Sequence, residues 1–233
     1  MNSLLLTGLA WLAPFFLQPL PAGDELKRER LPADVDFVMH FDFEGFKQTE
    51  LWKQVSTSMD QAELHADLED FDDLRTRFGI DPLTDVRAVT LFKVKSEEDP
   101  TVVLFSTTAK VDEALKNFQK ETGYARLSEG GIELHTWKED DGDDSVFAFV
   151  HAPSAAERVV VLASNKQSAL RSARVLRGEA PSHASAGTLL AITPARGSFL
   201  YLAASEIPQL DEFTPASQVF GLAQGIQVDL GEA

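Results

Sequence analysis

The chain has 233 residues, 44% hydrophobic and 25% charged, the balance of a folded globular protein rather than a disordered one. Its net charge of −16 repels nucleic acid and anionic lipid headgroups, so neither is expected as a partner. With no cysteine there are no disulfides, thiolate metal sites, cysteine nucleophile or lipid-bearing cysteine, and stability falls to an apolar core in which sixteen Phe take part.

Met1 to Ala22 carries no charged side chain and is almost wholly apolar from Leu4 to Leu17. Helix-breaking Pro19 and Pro21 follow, then small Ala22 and Gly23, and charge begins at Asp24. The pattern reads as a secretory signal peptide cleaved near Ala22, which makes the mature protein exported, periplasmic or extracellular. The competing reading is a retained membrane anchor. A spanning helix needs roughly 20 apolar residues, and Pro14, Gln18, Pro19 and Pro21 leave this run short and broken. No stable span is expected after cleavage. Four regions are expected: the signal peptide over 1–22, a charged spacer over 23–34, an α+β module over 35–180 and a partial second α+β module over 181–233.

In Asp36–Phe43, the side chains Phe37, Met39, Phe41 and Phe43 alternate with Val38, His40 and Asp42. Period two with one greasy face predicts a half-buried strand. A helix is expected over Glu44–Ser58. The next helix is marked by Leu64, Leu68, Phe71, Leu74 and Phe78 on one stripe, closed by Gly79 and Pro82. Val86–Val94 and Thr101–Thr107 predict a hairpin. Thr108 is placed to cap a helix over Lys110–Thr122, with Gly123 ending it. Strands follow near Ala125–Leu127, Ile132–Trp137, Ser145–His151 and Arg158–Ala163, then a helix from the Asn165 cap to Arg177, stopped by Gly178. The order β-α-α-β-β-α-β predicts an α+β fold, antiparallel sheets with helices on one face, close to the ferredoxin-like split β-α-β. Val38, Val103, Phe105 and Trp137 make some strands apolar on both sides, so both sides are expected to be covered.

Gly197–Ala203 alternates Phe199, Tyr201 and Ala203 before Glu206, much as Phe37–Phe43 precedes Glu44, and Gln224–Leu230 resembles Val86–Val94. The reading is a second copy of the opening unit, incomplete at its C-terminal end, which would leave an open strand edge. The other reading is a last strand paired inside the existing sheet.

Chemistry-bearing motifs are sparse. There is no Gly-x-Ser-x-Gly elbow, His-Glu-x-x-His, Walker loop or Gly-x-Gly-x-x-Gly. His40 and Asp42 share a strand face, where a His–carboxylate pair can orient a base or hold a metal; a solvated strand face explains them as well. His135 and His151 extend that cluster if register makes them neighbours. The run Glu139-Asp140-Asp141-Gly142-Asp143-Asp144 offers Asp141 and Asp143 to calcium, but it lacks EF-hand spacing, and Asp141-Gly142 is a hairpin-turn signal. Arg171, Arg174 and Arg177 form an anion patch or complement a helix C-terminus. No catalytic residue, bound metal or cofactor is assigned.

Leu31-Pro32-Ala33-Asp34, followed by the aromatic strand Asp36–Phe43, is similar to the opening of the mature part of exported bacterial proteins of unknown function. Phe78-Gly79-Ile80-Asp81-Pro82 and Asp85-Val86-Arg87 are similar to a helix-to-strand junction in such proteins. The resemblance covers the first half of the chain. It implies duplicated α+β modules and an envelope location, and it transfers no catalytic residue. The strands apolar on both sides and the missing catalytic motifs point to non-enzymatic binding of a protein or envelope component through a sheet face or edge as the expected function. The alternative is a metal-assisted envelope hydrolase built on His40, Asp42 and His135 or His151. A calcium-stabilised adhesion module is a third reading.

Overall fold

The computed structural model describes residues 23–58, 75–76, 79–94, 101–120, 122–138, 145–186, 194, 197–205 and 226–231. The signal segment, the stripe helix before Gly79, and Asp141 and Asp143 lie outside these residues. Within them the fold is α+β, with one antiparallel sheet. Its strands are β1 (Val35–Asp42), β2 (Val86–Val94), β3 (Val102–Thr108), β4 (Ala125–Glu129), β5 (Ile132–Lys138), β6 (Ser145–His151), β7 (Glu157–Ala163), β8 (Ser198–Ala204) and β9 (Ile226–Gly231). They lie in the order β4-β5-β6-β7-β3-β2-β1-β8-β9. The helices are α1 (Phe43–Phe46), α2 (Glu50–Ser58), α3 (Pro82–Asp85), α4 (Val111–Phe118), α5 (Lys166–Leu176) and α6 (His183–Ala186).

The split β-α-β expectation is not met. A split unit places the second strand of the hairpin between β1 and β2, whereas here β2 itself lies between β1 and β3. The helical connection thus joins two adjacent antiparallel strands. The predicted helix over Glu44–Ser58 is broken in two, because Thr49 Oγ1 accepts from the Trp52 N–H at 3.0 Å and caps a fresh start at α2. Thr108 stays in β3, where its hydroxyl donates to Asp85 at 3.4 Å, and gives α4 no cap, and α4 ends at Phe118, short of Gly123; other local signals act as expected. Asn165 accepts from Ser168 N–H at 2.8 Å at the head of α5, and Gly178 takes the left-handed conformation behind it, φ 71°.

The larger correction concerns which face of β1 is inside. Val38, His40 and Asp42 are buried at 0%, 6% and 3% exposure, while Met39 between them is 36% exposed. The aromatic-bearing side, expected to face the core, is the more open one. The reason lies in the flanking segments. Leu31, fully buried, joins Val38, Phe92, Leu104, Val161 and Tyr201 in the core. Residues 23–34, expected as a spacer, therefore form part of the fold. Helix α5 adds Ala169, Leu170 and Ala173 to the same core. The Leu31 carbonyl accepts from His183 N–H at 2.7 Å, and Pro32 bridges Ser182, so residues across the expected boundary at 180–181 pack together. Helix α4 lies across the opposite face, where Arg158 donates to Asp112 at 3.0 and 2.7 Å and Phe118 meets Trp137 at 5.2 Å between rings. Helices thus occupy both faces, as strands apolar on both sides require.

The match of Phe199, Tyr201 and Ala203 to the Phe37, Met39 and Phe41 face slips by one residue. His40 pairs with Tyr201 and Val38 with Ala203, so Tyr201 and Ala203 lie on the His40 side. A slip of one residue exchanges the two faces of a strand.

Candidate functional site

The sequence candidates His40 and Asp42 are in the interior, and both are already engaged. His40 Nε2 lies 2.9 Å from the Asp24 carbonyl, an acceptor only, so Nε2 donates. Nδ1, 2.8 Å from Thr90 Oγ1, then accepts from that hydroxyl in the neutral ring. Burial holds the His40 pKa below its ordinary value, against the Asp24 carbonyl bond and the Asp42 and Asp24 carboxylates, which raise it. Asp42 accepts from Gly45 N–H at 2.8 Å and caps α1.

The segment lying over His40 is held by ion pairs. Arg30 donates to Ser106 Oγ at 3.0 Å and to Glu157 at 2.5 Å, and Lys27 reaches Asp24 at 2.7 Å and Glu157 at 3.2 Å. Burial raises the Asp24 and Glu157 carboxyls, yet bonds from Lys27 and Ser106 to the first, and from Arg30 and Lys27 to the second, leave both below their ordinary pKa. The void bounded by His40, Thr90, Ser106 and Arg30 is about 10 Å³, room for one water at most. This is a clasp between the N-terminal segment and the sheet, with no space for a substrate.

His135 and His151 do not extend the cluster. His135 pairs with Ala148 on the face opposite His40, whereas His151 pairs with Val159 on the His40 face but on β6, four strand steps from β1. Five strand steps separate β5 from β1, about 24 Å at roughly 4.8 Å per step. Among the described residues, no three His, Asp or Glu side chains are grouped to hold a metal ion. Two of the three arginines near the end of α5 are used internally. Arg171 pairs with Asp34, while Arg177 donates to the Gly131 carbonyl at 2.9 Å and meets Glu179 at 2.8 Å.

His135 borders a separate open groove of about 580 Å³ between α4 and strands β4 to β7. Its Nδ1 is 2.7 Å from the Tyr124 hydroxyl, which accepts from Arg126 Nε at 3.1 Å. Burial lowers the His135 pKa, Glu133 opposes the shift and Arg126 adds to it. Lys116 and two arginines line the wall, and both arginines are partnered, Arg158 by Asp112 and Arg126 by Glu133 at 3.5 Å. That leaves a polar wall in which the principal charges already satisfy one another.

The most extended feature is apolar. On the face opposite His40, strand pairing places Ala148, Leu162, Val103, Leu91, Met39, Leu202 and Val228 in one row across seven strands. A second row runs Val150, Val160, Phe105, Val89, Phe41, Leu200 and Leu230. Phe46 on α1 packs at one end with its ring tilted, 5.3 Å from Phe41 and 5.1 Å from Phe199. From β7 to β8 every member of both rows is half-buried or exposed, and the rows end at Val228, 38% exposed, and Leu230, 49% exposed. Val103 and Phe105 were legible in the sequence as strand positions apolar on the wrong side; Leu91, Leu202 and Val228 were not, because register alone aligns them.

No family model matches the chain. No curated protein matches it. A solved structure, crystal form I of a protein called TP0453, aligns with 89% of this chain and 93% of its own at 10% identity and a TM-score of 0.33. A likeness that low carries no argument about fold or function. No helix among the described residues is long and apolar enough to cross a membrane.

Proposed function

We propose that this chain is an exported, non-enzymatic α+β protein that binds a protein or envelope partner through the apolar face and edge of its sheet. The observation that supports this most is the pair of apolar rows that run across the sheet and end at exposed Val228 and Leu230. Contiguous apolar surface that a fold leaves partly open favours an interaction site. The alternative, a metal-assisted hydrolase, has little geometric support. Both His40 nitrogens are hydrogen-bonded, Asp42 caps α1, His135 lies on the other face of the sheet, and His151 is four strand steps from β1.

The test is photo-crosslinking in the source cells, with benzophenone-phenylalanine placed at Met39 in one strain and at exposed Lys53 in another. The proposal expects a discrete adduct of fixed mass from Met39 and none from Lys53. Equal, diffuse labelling from the two positions contradicts it.

A further inference from the structure

We infer that the outer edge of β9 is a strand-addition site. It takes an extended segment of a partner protein, antiparallel, with apolar side chains alternating on the side of Val228 and Leu230. This rests on the reading of the sheet as a binding surface and names the partner's chemistry.

Three observations carry it. The first is the contrast between the two ends of the sheet. At the β4 end, Arg126 engages Tyr124 and Glu133, and Glu129 meets Lys166 at 2.5 Å. Charges of this kind are how edge strands discourage further pairing. At the β9 end, the only charged residue of the strand is Asp229, on the Tyr201 side of the sheet and hydrogen-bonded by Ser198, while Val228 and Leu230 stand exposed on the other side. Among the described residues no strand pairs with that outer edge.

The second observation says what fits there. In the order β2-β1-β8-β9, β2 and β9 are the outer neighbours of an inner antiparallel pair. The far edge of β2 takes β3, whose Val103 and Phe105 continue the two rows from Leu91 and Val89. A strand on β9 continues the same rows from Val228 and Leu230, so it presents β-branched or aromatic residues at those two positions.

The third concerns the residue between them. Asp229, between Val228 and Leu230 but on the other face and already hydrogen-bonded by Ser198, is compatible with a hydroxyl or basic residue opposite it. Main-chain bonds then supply affinity, and the alternating side chains supply selectivity.

The probe is a fluorescent, lysine-flanked peptide of residues 101–108 carrying Leu104→Thr, added to the full mature chain. Saturable binding is expected, with slowed amide hydrogen exchange over 226–231 and none over 125–129. The double variant Val228→Lys, Leu230→Lys changes only exposed side chains and is expected to weaken binding at least tenfold. A peptide N-methylated at alternate residues tests the pairing without altering the protein, and is expected not to bind. The inference is overturned by absent binding, by protection at β4 or β2 instead of β9, or by unchanged affinity of the N-methylated peptide. If the peptide fails while the Met39 crosslink persists, the edge is wrong and the face stands. If both fail, the binding reading itself falls.

Discussion

Adjacent positions on β1 differ sharply in burial. Val38 is fully buried among Leu31, Phe92 and Ala203, whereas Met39, one residue on, is 36% exposed. Val38→Ala deletes two methyl groups, worth about 1.6 kcal/mol at roughly 0.8 kcal/mol per group. A residual cavity of about 50 Å³ adds about 1.2 kcal/mol at roughly 24 cal/mol per Å³. The expected loss is therefore about 2–3 kcal/mol, or about 4–12 °C in melting temperature for a chain of this size. Met39→Ala removes more atoms but from a half-open site, and is expected to cost about 1 kcal/mol or less. Urea unfolding measures both, and the slope with denaturant should stay constant if only the native packing changes. A Met39→Ala loss equal to or larger than that of Val38→Ala refutes the assignment of faces.

Leu31→Ala is expected to cost about 2–5 kcal/mol, with faster proteolysis near residue 30, because Leu31 ties the N-terminal segment into the core; an unchanged midpoint argues for a detached spacer. Burial keeps the folded His40 pKa below its ordinary 6.5, so the unfolded chain takes up the proton first as pH falls. That stability is present above pH 6.5 and is lost on acidification through the lower folded value, so His40→Gln should flatten the pH 7 to 5 dependence of the melting temperature relative to wild type. The Tyr201 phenol is pushed up to about 12, by burial first and Asp229 next; ultraviolet titration should show one of the two tyrosines ionising above pH 11, and Tyr201→Phe should abolish that phase. Its hydroxyl has no protein hydrogen-bond partner among the described residues, so the same variant should change stability by less than about 1 kcal/mol, read in urea.

Period and punctuation in the sequence located the strands well. The hairpin at 86–108, the Asn165-capped helix and its closing Gly178 were legible because local chemistry fixes them. The face of β1 was not. Phe37, Met39 and Phe41 outweigh Val38, His40 and Asp42 in hydrophobicity, and only the tertiary packing of Leu31 and α5 reverses the preference. His40 shows why a lone polar residue on a strand is ambiguous. Its partners, Thr90 and the Asp24 carbonyl, are distant in sequence and meet it only through register and a returning segment. The apolar rows are illegible in the sequence for the same reason, since each strand contributes only two residues to them.

The most direct test of a binding face is the reactivity of Met39. In purified protein its thioether is open enough to be oxidised by hydroxyl-radical footprinting. In intact source cells the partner should cover it, so its oxidation should drop several-fold relative to an exposed surface residue such as Leu51. Equal oxidation of Met39 in the two settings would contradict the account.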